Sequence, residues 1–250
     1  MGDRWIGFPA QVGERACFVT FNDGISKEVN ALPFTNFVSF RVHFDAPDPD
    51  GFPPQGEKDR LWKLEQDLAD SLHGERGVMV GRVTTDGHRS LHFYTELPLD
   101  ACFELADEVS RTSGYEVLVA HEHEPDHRSY WDLLYPDDDS WQVIKDRRIQ
   151  DALRHAGDPL FEPRDIDHRA YFASSNGRDA FVAEVAHLAE CTSVGTNPDE
   201  SLPYMIDLRH HGVPDHTIHR VTLGLSRAAR THQGEYEGWG TTVLQGRQDH

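Results

Sequence analysis

Histidine and carboxylate are the side chains here best equipped for chemistry: 16 histidines stand beside 43 Asp and Glu in 250 residues. His121-Glu122-His123-Glu124 places two imidazoles two residues apart, hence on one face of a strand, a spacing that suits a metal ion. His43 and His88 meet on an open sheet face if the strands take a ferredoxin-like order, and His210, His211, His216 and His219 form another loose group. A metal centre needs a third and fourth ligand, and nothing in the sequence supplies them. Asp48-Pro49-Asp50-Gly51, with Glu57 beyond, matches part of a calcium loop. Ala46 holds the first ligand position and Pro47, Pro49, Pro53 and Pro54 stiffen the stretch, whereas calcium needs that first carboxylate and a flexible oxygen cage. It reads as a proline-stiffened connector. There is no Gly-x-Ser-x-Gly elbow, phosphate-binding glycine loop, zinc-protease helix or kinase set. Cys17, Cys102 and Cys191 lie far apart, without paired spacing or an activating neighbour. The expectation is therefore no catalytic residue, no metal and no cofactor.

Charge says more about partners. Acids outnumber bases 43 to 24, a formal net of -19, and both halves are acidic: 29 acids against 16 bases through Ala156, then 14 against 8. Nucleic-acid binding draws on basic side chains that displace phosphate counterions, so direct DNA or RNA binding is disfavoured. An acidic surface speeds encounter with a basic protein, and it also keeps a chain soluble. Apolar runs are strand-length, too short for a membrane span. The start, Met1-Gly2-Asp3-Arg4-Trp5, lacks the apolar core of a secretory signal. Unpaired cysteines fit a reducing compartment, so the cytoplasm is expected.

The elements that position these residues follow from periodicity. Residues 15–22 read as a strand turning at Asn22-Asp23-Gly24, with 25–30 pairing back as a hairpin. In 36–44, Val38, Phe40, Val42 and Phe44 alternate with Ser39, Arg41 and His43. Leu61, Leu64, Leu68 and Leu72 recur at helical spacing within 57–73. Strands at 78–85 and 88–96 flank Asp86-Gly87, a two-residue hairpin turn. Asp100 caps a helix to about 112, and 115–123 is a further strand. Asp137-Asp138-Asp139 opens a helix that Gly157 ends. The second half repeats the pattern: strand 169–174, a helix capped by Asn176, strands 191–197 and 203–211 around Asn197-Pro198-Asp199, a helix bracketed by Pro214 and Gly234, and strand 236–244. The fold class expected is α+β, two ferredoxin-like βαββαβ sandwich domains at 1–136 and 137–250, each an antiparallel four-stranded sheet with helices on one face.

The terminal stretch Glu235-Tyr236-Glu237-Gly238-Trp239-Gly240-Thr241 is similar to the closing Tyr-Asp-Gly-Trp motif of the regulator of ribonuclease activity B family, with Glu237 in place of the Asp. Gly157-Asp158-Pro159-Leu160, Pro163-Arg164 and Asp167-His168-Arg169-Ala170-Tyr171-Phe172 resemble that family's opening and first strand. The N-terminal half resembles a bacterial domain family of unknown function often fused to such a regulator. Its carriers are Asp50-Gly51-Phe52-Pro53, the Leu61–Leu72 helix, Val80-Gly81-Arg82-Val83-Thr84, Phe93-Tyr94, Trp131 and Tyr135-Pro136.

The regulator resemblance implies a non-enzymatic role: binding, and restraining, the endoribonuclease of the RNA-degradation machinery. Partner-binding residues are expected at Glu235, Tyr236, Glu237 and Trp239, with the open sheet face beside them. Trp239 has two readings, an anchor in a partner's pocket or a ring packed under the sheet. Two other classes stand beside the regulator: a metal-dependent or acid–base hydrolase using a His-rich site, and an acidic, immunity-type antagonist of a basic toxin.

Overall fold

The computed structural model describes residues 3–13, 15–198 and 200–244. Asp199 of the expected 197–199 turn, like Met1 and Gly2, lies outside them. The chain divides into two compact units, Met1–Pro136 and Asp137–His250. Its class is α+β, with two antiparallel sheets backed by helices.

The first unit contains strands β1 (Trp5–Val12), β2 (Arg15–Asn22), β3 (Asn36–His43), β4 (Gly77–Thr85), β5 (His88–Thr95) and β6 (Val117–His123), with helices α1 (Lys58–Ser71) and α2 (Leu99–Ser113). The sheet order is β1-β2-β4-β5-β3-β6. It carries six strands rather than four, because β2 pairs with β1 and the resulting hairpin extends the sheet beside β4. The hairpin expected within 25–30 does not form. Asp23–Ile25 and Val29–Ala31 are 3-10 turns instead, the first capped by the Asn22 side chain, with Ile25 and Val29 buried.

Leu61, Leu64, Leu68 and Leu72 of the α1 stretch pack with Val38, Phe40 and Val42 of β3, Leu91 and Phe93 of β5, and Cys102, Ala106 and Val109 of α2. Each buried leucine contributes roughly 1.5–3 kcal/mol. Asp86 and Gly87 both have positive φ, 50° and 77°, which matches the right-handed strand twist and closes the β4–β5 hairpin. Asp100 is not the α2 cap; Pro98 holds that position and Asp100 sits one residue inside, where its charge still meets the helix dipole. The opposite sheet face is covered as well. A π-helical turn at Tyr130–Leu134 buries Tyr130 and Leu134, and the Tyr130 hydroxyl donates to the Asn22 carbonyl (3.0 Å).

The second unit contains α3 (Asp138–His155), β7 (Arg164–Phe172), α4 (Ser175–Val185), β8 (Glu190–Thr196), β9 (Tyr204–Gly212), α5 (His219–Thr231) and β10 (Gly234–Thr241). Its sheet runs β10-β7-β9-β8, so the closing strand pairs with the opening one. The run β6-β3-β5-β4 of the first unit has the same order relative to its own chain sequence.

Asp137 caps α3 by accepting from the Ser140 amide (2.8 Å). Asp139 binds Arg227 and Arg230 of α5. Ser174, not Asn176, caps α4. Gly234 does not end α5; Gln233 takes the left-handed conformation there, and Gly234 opens β10. Phe172, Phe181, Val185, Ile206, Leu208, Leu225 and Tyr236 form the main core, and Leu153, Leu160, Ile166, Ile218 and Trp239 a second cluster under α3. Among the described residues no helix is long and apolar enough to cross a membrane.

Candidate functional site

Strand alternation gives the second sheet two unlike faces. Toward the helices point Ile166, His168, Ala170 and Phe172 of β7, Ile206 and Leu208 of β9, and Tyr236 and Trp239 of β10, all buried. The other face carries Asp165, Asp167, Arg169 and Tyr171 of β7, Asp207, Arg209 and His211 of β9, and Glu235 and Glu237 of β10.

Ionic pairs cross that open face. Arg169 Nε donates to Asp207 (2.7 Å), Arg209 Nε to Asp167 (2.6 Å), and His211 Nδ1 lies 3.1 Å from Asp165. Ser193 of β8 donates to the second oxygen of Asp207 (2.8 Å). The hydrogen bond from Arg169 holds the Asp207 carboxyl below the usual carboxylate range, and Arg169 is raised in turn. Such exposed pairs contribute about 0–1 kcal/mol each, so they order the face more than they stabilise it. Five carboxylates (Asp165, Asp167, Asp207, Glu235, Glu237) against two arginines leave a surplus of three negative charges. Glu237 sits where β10 bulges between Tyr236 and Gly238, beside a hollow of about 330 Å3 that Asp167, Arg169 and Asp207 also line.

Of the four residues expected to meet a partner, Glu235 and Glu237 are exposed on this face, whereas Tyr236 and Trp239 are buried on the other. Trp239 is 7% exposed. Its indole N–H donates to Asp146 (3.0 Å), a fully buried carboxylate of α3 that also takes Gln142 Nε2 (2.8 Å), His219 Nδ1 (2.8 Å) and the Thr222 hydroxyl (2.5 Å). Tyr236 lies 2.7 Å from His168 Nδ1, and His168 Nε2 lies 2.7 Å from His210 Nδ1. Burial, and then the neighbouring His210, bring His168 down to about 3. A neutral ring meets both partners if the tyrosine donates to Nδ1 and Nε2–H donates onward to His210.

Asp146, His168 and His210 organise the interior, and sequence reasoning assigned them no such role. The partners of Asp146 lie up to 93 residues away, a distance no local pattern reports. The outward row Asp165, Asp167 and Arg169 was open to detection from alternation alone.

The histidine groups do not assemble. His43 and His88 do meet, with ring centroids 5.6 Å apart. His121 pairs in register with Val38, on the opposite, helix-facing side, and contacts the Leu97 carbonyl (3.2 Å). His210, His211, His216 and His219 turn to four separate partners, His168, Asp165, Asp215 and Asp146. Among the described residues no three His, Cys, Asp or Glu side chains converge as a metal-holding group. In the 45–57 connector, Asp48 accepts from the Asp50 and Phe52 amides (3.0 and 2.8 Å), and Glu57 from the Asp45 amide (2.9 Å) and Tyr115 hydroxyl (2.7 Å). Those carboxylates organise the loop itself.

No curated protein matches the chain. The crystal structure of an unknown protein from Galdieria sulphuraria is similar at 11% identity over 81% of this chain and 96% of that one; its TM-score of 0.23 is too low to support any argument. Two family models match. One, described as regulator of ribonuclease activity B, spans residues 143–241, from within α3 to the last residue of β10. The other, described as a family of unknown function, DUF695, spans residues 3–135, more than half of the chain and nearly all of the first unit. The chain therefore belongs to the DUF695 family, and its second unit carries the match to regulator of ribonuclease activity B.

Proposed function

We propose that this protein is a non-enzymatic regulator that binds a protein component of RNA turnover, a ribonuclease, through the open sheet face of its second unit. The observation that carries the reading is the match of residues 143–241 to a family described as regulating ribonuclease activity. The face agrees with it chemically. It is exposed, its surplus charge is negative, and a nucleic-acid-binding nuclease presents the opposite sign. Glu235 and Glu237 are the contact residues on β10. Tyr236 and Trp239 act from beneath, fixing the strand that carries them. A cytoplasmic site of action goes with this reading.

Affinity capture with the full chain in extracts of its native host, followed by ribonuclease assay of the captured fraction, tests the reading. The expected result is a co-purifying ribonuclease whose activity falls as added chain saturates it. A captured fraction without ribonuclease activity, or a ribonuclease indifferent to the chain, contradicts it.

A further inference from the structure

The two edges of the second sheet are built differently. The β10 edge carries Glu235, Glu237 and a bulge, and α3 packs against it. Those are devices that discourage another strand from pairing. The β8 edge has fewer. Cys191-Thr192-Ser193-Val194-Gly195-Thr196 contains no charge and no proline, and all of these but Gly195 are exposed. Val194 pairs with Ile206, on the helix side, yet remains 58% exposed. The only irregularity is a bulge between Cys191 and Ser193, at the start of the strand.

The direction of the free backbone groups follows from the ladder. The Asn197 amide donates to the Pro203 carbonyl of the neighbouring chain segment (2.8 Å). Antiparallel alternation then turns Gly195 toward β9 as well, and leaves the N–H and C=O groups of Val194 and Thr196 pointing outward. At this end of β8, on the open face, lies a depression of about 500 Å3. Tyr171, Pro203 and Met205 form apolar walls, Gly195 leaves one side without a Cβ, and Glu200 and Glu235 supply carboxylates. Neither carboxylate has an ion pair or side-chain hydrogen bond among the described residues. Apolar walls beneath unpaired carboxylates suit a side chain with a long methylene stem and a cationic head.

We propose that β8 is a docking edge for an extended basic segment of another protein, which adds to the sheet as a fifth strand and lays an arginine or lysine side chain over Gly195 between Glu200 and Glu235. The proposal rests on the partner-binding reading above and specifies its geometry. Outward backbone groups of Val194 and Thr196 supply the main-chain pairing, and side-chain alternation supplies selectivity. Residues on the open-face side of the segment meet the acidic surface, and those on the other side cover Val194. Charge complementarity favours such a segment over a second copy of this chain, which brings its own net charge of -19.

The probe is a capped heptapeptide alternating arginine and valine, labelled and titrated against the full chain at physiological salt. Its control is the same peptide N-methylated at alternate backbone amides, which keeps the charge and prevents strand pairing. Saturable binding is expected, weakened at least tenfold by N-methylation and by Val194→Pro. That proline removes one outward N–H and leaves the Gly195 and Asn197 positions to hold β9. Glu200→Gln with Glu235→Gln is also expected to weaken binding at least tenfold. Equal binding of the two peptides overturns strand addition without recourse to any variant that could misfold. A concentration-dependent dimer lost in Val194→Pro overturns it too, by showing that a second copy occupies the edge. If Val194→Pro leaves ribonuclease capture unchanged while Glu235→Lys with Glu237→Lys abolishes it, the edge is wrong and the acidic-face reading survives. Loss of capture in neither variant removes both.

Discussion

Trp239 and Asp146 depend on each other. The ring fills the cluster of Leu153, Leu160, Ile166 and Ile218, and its N–H is one of four donors to a carboxylate that has no solvent. Trp239→Ala is expected to cost about 3–5 kcal/mol in urea unfolding. Trp239→Phe keeps most of the apolar burial but leaves Asp146 one donor short, and is expected to cost about 1–3 kcal/mol. An unshifted curve in the first variant removes Trp239 from the core and makes it a partner anchor. His168 adds a pH dependence. Folded, its ring resists protonation until about pH 3, whereas an unfolded histidine takes a proton near 6.5. Between those values the unfolded chain binds the extra proton, so stability is full above pH 6.5 and falls as pH drops below it. The slope approaches about 1.4 kcal/mol per pH unit, and His92 of the first unit, also held near 3 by burial and then Arg41, adds a like contribution there. Asp139 and Asp207, held low chiefly by arginine hydrogen bonds, add their losses only below the carboxylate range. Unfolding of His168→Asn measured from pH 6.5 to 4.5 is expected to show a shallower slope than wild type. An unchanged slope places the titration elsewhere.

Among the elements, β10 shows what glycine does at two positions that look alike in sequence. A Cβ on Gly234 would sit 2.3 Å from the Phe172 ring and 2.6 Å from the Tyr171 carbonyl, whereas one on Gly240 meets nothing within 4 Å. Gly234→Ala is expected to lower stability by about 1–3 kcal/mol, while Gly240→Ala stays within about 0.5 kcal/mol. Thermal unfolding of the pair checks this, and equal effects contradict the packing described. Elements with strong local periodicity were legible beforehand. The leucines of α1, the alternating face of β3 and the Asp86-Gly87 turn state their structure within a few residues. What escaped depends on distant partners. In β1, Gly7 and Pro9 dilute the strand pattern, and only pairing with β2 makes it a strand. Ser174 displaced Asn176 as the α4 cap because its side chain reaches the Gly177 amide (3.1 Å), a choice of register that composition leaves open. In the candidate site, plain alternation would set Trp239 on the same face as Glu235 and Glu237; the bulge between Tyr236 and Gly238 turns Trp239 into the core and leaves the two glutamates outward. The carboxylates of β7 and β9 join them through strand register, which a single strand does not report.

At the scale of the whole molecule, acidity and family match point the same way. The net charge of -19 disfavours phosphate as a partner, and the open face of the second unit concentrates part of that charge on a rigid sheet. Among the described residues the first unit buries side chains on both faces of its six-stranded sheet, with the turn at Tyr130–Leu134 covering the face opposite the helices. The proposed partner contact lies on the second unit, the part that carries the match to regulator of ribonuclease activity B. The most direct measurement is titration of the captured ribonuclease with wild type and with Glu235→Lys, Glu237→Lys, both confirmed folded by unchanged unfolding midpoints. Partner contact through the acidic face predicts that affinity falls at least tenfold in the double variant, with a weaker salt dependence. Equal affinity and equal salt dependence would contradict it.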